Sequence, residues 1–125
     1  MKTVVAALIE KDDKYLLAKR NSDKPLGDLW EFPGGKVKEG ESDYEALRRE
    51  LLEEMDWNVY VGSKLCSIEH EYPDFTIRLT AYDCMAHDND FKLLAHIDSC
   101  WLKPEEFSKL KWTEADAALI KQLWK

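Results

Sequence analysis

The pattern of apolar and polar positions near the N-terminus predicts two β-strands. The segment "TVVAALIEKDDKYLLAKR" has an apolar run on each side of a polar turn at residues 12–13. The first run is apolar enough for a strand that is buried on both faces. The next segment, "NSDKPLGDLWEFPGG", is loop-like around Pro25 and Gly27 and briefly extended through "LWEF". The Pro-Gly-Gly at residues 33–35 predicts a break after that short extended piece.

A helix is predicted directly after the glycine-rich segment. Ser42 is a suitable N-cap, and its spacing to Glu45 is that of a capping box. The helical periodicity continues to about Met55. The apolar residues that recur at helical spacing, and that we expect to face the core, are Tyr44, Leu47, Leu51 and Met55.

The second half of the chain predicts further strands and a second helix. Two alternating segments rich in Val, Ile, Tyr and Thr span residues of about 58–72 and 75–86, with a turn at Pro73 between them. Another strand is predicted around Ser99–Leu102, and a helical turn at "PEEF" follows it. Thr113 begins a C-terminal helix whose apolar stripe consists of Leu119, Ile120, Leu123 and Trp124. The predicted fold class is α/β or α+β, with helices packed on a mixed sheet.

Composition adds limits on the domain count and on partners. A length of 125 residues with 45% hydrophobic content predicts one domain over residues 1–125, as a monomer or a simple homodimer. The apolar run "VVAALI" is too short to span a bilayer, so no membrane partner is expected. A net charge of −7 argues against a nucleic-acid polymer as partner. The dispersed Cys66, Cys84 and Cys100 favour a reduced, cytoplasmic setting.

Most of the negative charge is concentrated in one short stretch. Glu39–Asp56 holds eight acidic residues against two arginines, a local charge of −6. On the predicted helix, Glu50, Glu53 and Glu54 share one face, at i, i+3 and i+4. This face is either solvated and softened by the arginines, or it binds a divalent cation. A cation also explains why acids lie in the last turns, where the helix dipole disfavours them.

A magnesium ion suits this arrangement and indicates the kind of ligand. Mg²⁺ takes oxygen ligands, and it offsets the repulsion between neighbouring carboxylates. Glycines before the helix would expose backbone carbonyl oxygens to such an ion. Because Mg²⁺ retains open positions that phosphate oxygens fill, a small diphosphate or triphosphate is the expected ligand.

The acidic stretch matches a known motif almost completely. From Gly35 the chain has five residues, Glu41, seven residues, and then Arg-Glu-Leu-Leu-Glu-Glu at 49–54. Residues 35–57 therefore resemble the Nudix box, G-x5-E-x7-R-E-U-x-E-E-x-G-U, where U is a bulky apolar residue. The last glycine is replaced by Asp56, which tolerates the left-handed conformation better than most residues. The segments "WEFPGGK" and "EYPDFTIRL" extend the resemblance to the MutT-like branch of the Nudix hydrolases.

The resemblance implies a fold, a reaction and a metal site. Such enzymes fold as an α/β/α sandwich around a mixed sheet, and the MutT-like branch releases pyrophosphate and a monophosphate from a nucleoside triphosphate. The implied cofactor is Mg²⁺, with Mn²⁺ as a substitute. The implied metal ligands are the Gly35 carbonyl, Glu50, Glu53 and Glu54. Arg49 would orient the glutamates, and Glu41 would brace the preceding loop.

One expected catalytic residue is absent. In the MutT-like branch, a glutamate that acts as the base commonly lies about six residues before the tryptophan of the last core strand. Counting back from Trp101 reaches Ala95. His96, Asp98 or Asp90 could replace the missing base, or a glutamate of the box could act alone. The alternative for His96 is an ordinary exposed or strand-edge histidine.

The resemblance also implies a substrate cleft. Candidate basic residues near its mouth are Arg20, Lys36, Lys38 and Arg78. Phe32 and Tyr72 are candidates for stacking on the nucleobase of the substrate, although aromatic residues on short strands also belong to cores. Asp116 lies where these enzymes place a residue that reads the base edge. Alternatively, Thr113-x-x-Asp116 caps the last helix.

The leading functional hypothesis is nucleotide-pool sanitation by triphosphate hydrolysis, on 8-oxo-dGTP or (d)CTP-like substrates. A second hypothesis is a nucleotide-binding or regulatory module with weak turnover, because Ala95 and Asp56 depart from the motif. A third is hydrolysis of ADP-ribose or another nucleoside diphosphate derivative.

Overall fold

The computed structural model describes residues 1–125 and contains seven strands, two α-helices and a 3₁₀ helix. In chain order the elements are β1 (Lys2–Lys11), β2 (Lys14–Arg20), β3 (Trp30–Glu31), β4 (Gly34–Lys36), α1 (Asp43–Met55), β5 (Val59–Tyr72), β6 (Phe75–Ala86), β7 (His96–Leu102), the 3₁₀ helix (Pro104–Lys109) and α2 (Glu114–Leu123). Each helix and strand that the sequence predicts is present.

Strand β1 organises a mixed sheet. One of its edges pairs with β6 in parallel, and β5 continues the sheet as an antiparallel neighbour of β6. The other edge pairs with β4 through residues 4–6 and with β2 at the hairpin. Beyond the hairpin β2 diverges from β1 and pairs with β3 and β7. The predicted mixed sheet is thus confirmed.

Alternate residues of β1 pack against different helices. Val5, Ala7 and Ile9 belong to a buried cluster with Leu47 and Leu51 of α1. Ala6 and Leu8 belong to a second cluster with Ala115 and Leu119 of α2. Because successive side chains of a strand point to opposite faces, β1 is buried on both sides, as its sequence predicts. The layers form the α/β/α sandwich that the resemblance implies.

Helix α1 is capped at both ends as the sequence predicts. The Glu45 backbone N–H donates to Ser42 Oγ at 3.1 Å, and the Ser42 N–H donates to Glu45 Oε1 at 3.0 Å. At the C-terminus, Asp56 adopts the left-handed conformation, with φ 49° and ψ 44°. The backbone N–H groups of Lys92 and Leu94 donate to the last carbonyls of α1, at 2.9 Å each. Neither α-helix has the length and apolar character that a membrane span requires.

Three local expectations are wrong. The break after β3 is present at residues 32–33, but the two glycines are not part of it, because Gly34–Lys36 pairs with β1. A Cβ at Gly34 would overlap the Val5 carbonyl, so only glycine allows this approach. Tyr44 is 41% exposed, and the guanidinium of Arg48 lies 5.8 Å from its ring centroid. Helical spacing gives a side chain its direction but does not ensure that a neighbour faces it. Strand β7 begins at His96, earlier than expected.

Candidate active site

A cleft of about 460 Å³ brings residues of both helices together. Glu54, near the C-terminus of α1, and Asp116, in the first turn of α2, both line it. The predicted site residues among its lining are Arg20, Phe32, Gly35, Lys36, Glu54, Tyr72 and Asp116. Those outside it are Lys38, Glu41, Arg49, Glu50, Glu53, Arg78, Asp90, His96 and Asp98. The sequence motif therefore supplies both the cleft wall and the structure behind it.

Arg49 binds three carboxylates behind that wall. Its Nε and Nη2 donate to the two oxygens of Glu41, at 2.6 and 2.9 Å. Its Nη1 donates to Glu50 Oε1 at 2.9 Å and to Glu53 Oε1 at 3.2 Å. Its Nη2 also donates to the Lys36 carbonyl at 2.9 Å. This geometry has the form expected for an arginine that orients the glutamates, since a planar guanidinium makes several fixed bonds.

Glu41 connects this network to the loop before α1. Besides binding Arg49, its carboxylate accepts the Lys38 backbone N–H at 2.9 Å. The hydrogen bond from Arg49, with the Lys38 N–H as the next contribution, lowers the pKa of Glu41 to about 2. Glu41 is therefore ionised across the physiological range and can brace the loop continuously.

Gly35 lies directly against Glu50. A Cβ at position 35 would overlap the Glu50 carboxylate, so only glycine lets the backbone approach this closely. Burial raises the pKa of Glu50, and the Arg49 hydrogen bond opposes that effect. The Glu50 carboxylate and the Gly35 backbone therefore lie next to each other, with no side chain between them.

Glu54 is the box glutamate that faces the cleft. Its Oε1 is buried and has no hydrogen-bond partner. Burial, followed by the charges of Glu50 and Glu31, raises the pKa of Glu54 to about 8. A hydrogen bond from the Gly34 backbone opposes this rise without cancelling it. A desolvated carboxylate with an unpartnered oxygen is unstable unless a cation or a proton neutralises it.

These groups are chemically suited to a hard divalent cation, although they do not form a converged site. The orphaned Glu54 oxygen, the neighbouring Glu50 carboxylate and the Gly35 backbone are the oxygen donors that Mg²⁺ takes. No group of three or more His, Cys, Asp or Glu side chains converges on one ion position. Arg49 holds Glu50 and Glu53 in the described arrangement, so their carboxylates are engaged rather than free.

Asp116 is buried where α2 meets the β3–β4 segment. Its Oδ1 accepts the Phe32 N–H at 3.1 Å, and its Oδ2 accepts the Thr113 hydroxyl at 2.6 Å. Thr113 is the N-cap of α2, but its own N–H donates to Trp30, so no reciprocal capping box forms. Asp116 thus has a structural role and also lines the cleft. Burial, followed by the charge of Glu31, raises its pKa.

The two aromatic candidates are partly structural. Phe32 is only 3% exposed and packs against Trp112, with ring centroids 5.3 Å apart, although it reaches the cleft lining. The Tyr72 hydroxyl accepts the Ala115 N–H at 3.2 Å, which fixes its ring at the start of α2. Both residues therefore form a rigid, mainly apolar wall of the cleft.

Arg78, a candidate phosphate-binding residue, lies away from the cleft. Arg78 pairs with Glu69 at 3.4 Å and alternates along β6 with Ile77 and Leu79, which do line the cleft. Its side chain therefore projects from the opposite face of the sheet.

The candidate replacement bases also lie outside the cleft. The His96 side chain is 3% exposed, so it is neither an exposed histidine nor accessible to a substrate water. Asp98 is exposed and its Oδ1 accepts the adjacent Ser99 N–H. Asp90 is exposed in the loop before β7. Their proximity in sequence to the expected base did not determine their orientation.

Glu31 is a cleft residue that the sequence reasoning missed. It lines the cleft and accepts a hydrogen bond from Arg20 Nη1 at 3.1 Å. Its other oxygen lies 3.0 Å from His96 Nε2. The available signal was a lone charge between two aromatic residues in the extended "LWEF" segment.

Comparison with known proteins agrees with this geometry. The NUDIX domain matches residues 4–122. The chain is 38% identical to the CTP pyrophosphohydrolase of Escherichia coli K12, over 94% of this chain and 87% of that protein. It is 35% identical to the 8-oxo-dGTP diphosphatase of Proteus vulgaris, over 60% of this chain and 67% of that protein. The crystal structure of a MutT protein from Methanosarcina mazei Go1 superposes with a TM-score of 0.87 at 25% identity, over 98% of this chain and 91% of that one. The chain therefore belongs to the NUDIX domain family, as the motif at residues 35–57 predicts.

Proposed function

We propose that the protein hydrolyses nucleoside triphosphates to the monophosphate and pyrophosphate, and so removes unwanted nucleotides from the pool. The observation that carries this proposal is a single cleft with a buried, unpartnered carboxyl oxygen at Glu54 and a mainly apolar wall near Asp116. The Glu54 oxygen suits a cation that binds phosphates, and the apolar wall suits a nucleobase. The relative named CTP pyrophosphohydrolase supports the reaction class.

Mg²⁺ is the proposed cofactor, held by Glu50, Glu53, Glu54 and the Gly35 carbonyl. When bound, it would neutralise charge on the phosphate oxygens and position the attacking water. Arg49 would keep Glu50 and Glu53 in orientation, since it already contacts both. With alanine at position 95, the proton of the attacking water would pass to a glutamate of the box.

Arg20 and Lys36 line the cleft and would bind the phosphates. Tyr72 and the edge of Phe32 would contact the base. Asp116 would read its edge: the carboxyl oxygens accept from amino or ring N–H groups, and the raised pKa lets the protonated form donate as well. We therefore expect (d)CTP-like or 8-oxo-dGTP-like substrates, and a volume of about 460 Å³ suits such a ligand.

We also propose a cytoplasmic location, where the nucleotide pool lies. The three cysteines are free, which is compatible with a reducing compartment. The net charge of −7 favours a small nucleotide over a nucleic-acid polymer as the ligand.

The test is a panel of canonical and oxidised triphosphates, incubated with Mg²⁺ or Mn²⁺, with pyrophosphate release as the readout. We expect turnover on at least one pyrimidine or oxidised purine triphosphate and its loss in Glu54→Gln. Nucleotide binding without turnover would instead indicate a binding module. Turnover restricted to ADP-ribose or a related diphosphate would replace the proposed substrate class.

A further inference from the structure

A half-buried charged network borders the cleft on the β2–β7 side. The Glu31 carboxylate lies between two basic side chains, Arg20 and His96. Arg20 Nη1 donates to Glu31 Oε1 at 3.1 Å, and His96 Nε2 lies 3.0 Å from Glu31 Oε2. Arg20 and Glu31 line the cleft, whereas His96 lies behind them. The network therefore connects a buried histidine to the proposed phosphate-binding arginine.

The position of His96 is fixed by its surroundings. It is the first residue of β7 and the cross-strand partner of Arg20 on β2. The adjoining backbone is held by a hydrogen bond from Asn21 Nδ2 to the Ala95 carbonyl, at 3.0 Å. Because a carboxylate only accepts hydrogen bonds, His96 Nε2 carries the proton in its contact with Glu31. The other ring nitrogen, Nδ1, is buried without a partner, so the ring makes one directed polar contact.

Glu31 in turn controls Arg20. The guanidinium makes only two kinds of contact, from Nη1 to Glu31 and from Nε to the Pro25 carbonyl at 3.0 Å. Its Nη2 makes no hydrogen bond, and Arg20 lines the cleft. A phosphate that binds Arg20 would compete with Glu31 for the guanidinium. His96 supplies Glu31 with a second donor, and this reduces the competition because the carboxylate then depends less on Arg20.

We propose that His96 is a positioning residue that fixes the Glu31 carboxylate and, through it, aims Arg20 at the phosphates. This inference rests on the proposed function, and it assigns His96 a role other than that of a base. Because Arg20 would contact the substrate both before and during the reaction, loss of the His96 contact should raise KM more than it lowers kcat. A hydrogen bond to a charged group is large enough for an effect of about tenfold.

The experiment compares His96→Leu, which removes the donor, with His96→Gln, whose amide nitrogen can restore it. His87→Leu is the matched control, because His87 is exposed and makes no hydrogen bond. We expect His96→Leu to raise KM for the best triphosphate about tenfold with kcat within about threefold. His96→Gln should return KM to within about threefold of the wild type. Equal impairment of His96→Leu and His96→Gln, or no change in either of them, would overturn the proposal.

A double-mutant cycle tests the route through Glu31. In a Glu31→Ala background, His96→Leu should change KM less than about twofold, because coupled residues are not additive. A full tenfold effect in that background would also refute the proposal. The Kd of the α,β-methylene analogue of CTP with Mg²⁺, measured for the same variants, decides the inference independently of turnover. Wild-type protein that binds the analogue but hydrolyses no triphosphate of the panel would refute the proposed reaction alone, and wild-type protein that binds neither this analogue nor the corresponding analogue of 8-oxo-dGTP would refute both.

Discussion

Replacing Glu54 with glutamine should stabilise the metal-free protein at alkaline pH. The wild-type carboxyl group has a buried oxygen without a hydrogen-bond partner. Its pKa is raised to about 8, chiefly by burial. The folded state therefore holds the proton more tightly than the unfolded state. The resulting stability is fully present below pH 4.5 and is lost as the pH rises from there through about 8. Glutamine is nearly the same size and never ionises, so this loss is absent from the variant.

The magnitude follows from the pKa. A rise from 4.5 to about 8 corresponds to about 4–5 kcal/mol of destabilisation once the group is ionised in both states. The carboxyl group borders an open cleft, and partial access of water reduces this, so we expect about 2–4 kcal/mol at pH 9. For a chain of this size, that difference corresponds to about 6–15 °C in Tm.

The assay is thermal unfolding in EDTA at pH 5 and pH 9, followed by circular dichroism. Glu54→Gln should match the wild type near pH 5 and exceed its Tm at pH 9. Added Mg²⁺ should narrow the difference at pH 9, because the cation neutralises the wild-type carboxylate. Glu53→Gln is the matched control: its side chain is 54% exposed, so we expect a change of about 0.5 kcal/mol or less at both pH values. A difference between Glu54→Gln and the wild type that does not depend on pH would refute the reasoning.

Three further predictions concern the same site. Gly35→Ala should lower kcat by about 100-fold or more, because its Cβ would displace the Glu50 carboxylate; steady-state kinetics alongside a Tm measurement checks this, and unchanged turnover would contradict it. Arg49→Lys should lower Tm and kcat together, because lysine cannot reproduce the bidentate contact with Glu41. Wild-type kcat in a folded Arg49→Lys variant would show that these contacts are dispensable. Ala95→Glu should raise kcat by about tenfold or more if position 95 matches that of the expected catalytic base. The pH dependence of kcat should then show the ionisation of the new glutamate, whereas an unchanged pH dependence would assign the catalytic base to the Nudix box alone.

Local interactions made much of the fold and of the motif readable from the sequence. The capping box between Ser42 and Glu45 spans three residues, so the start of α1 could be predicted within one turn. The double-sided burial of β1 followed from its uninterrupted apolar run. The Arg49 contacts with Glu50 and Glu53 are also local, since they lie one and four residues apart. The Nudix motif encodes this part of the site in one continuous segment.

Other features depended on residues that are distant in sequence. Glu31 meets His96 across 65 positions, and Asp116 meets the Phe32 N–H across 84. The register of β2 with β7, and the packing of α2 on the β3–β4 segment, decide these contacts. Their polar partners therefore could not be inferred from spacing. The same is true of Arg78, whose face of β6 turned out to be opposite the cleft.

The sequence by itself determined the order of the elements, the capped acidic helix and the family. Only the tertiary structure decided that Glu54 faces the cleft and that Glu31 and His96 form a pair. The physical reason is that propensity, capping and periodicity act over a few neighbouring residues. Desolvation and ion pairing instead depend on which distant surfaces the folded chain brings together.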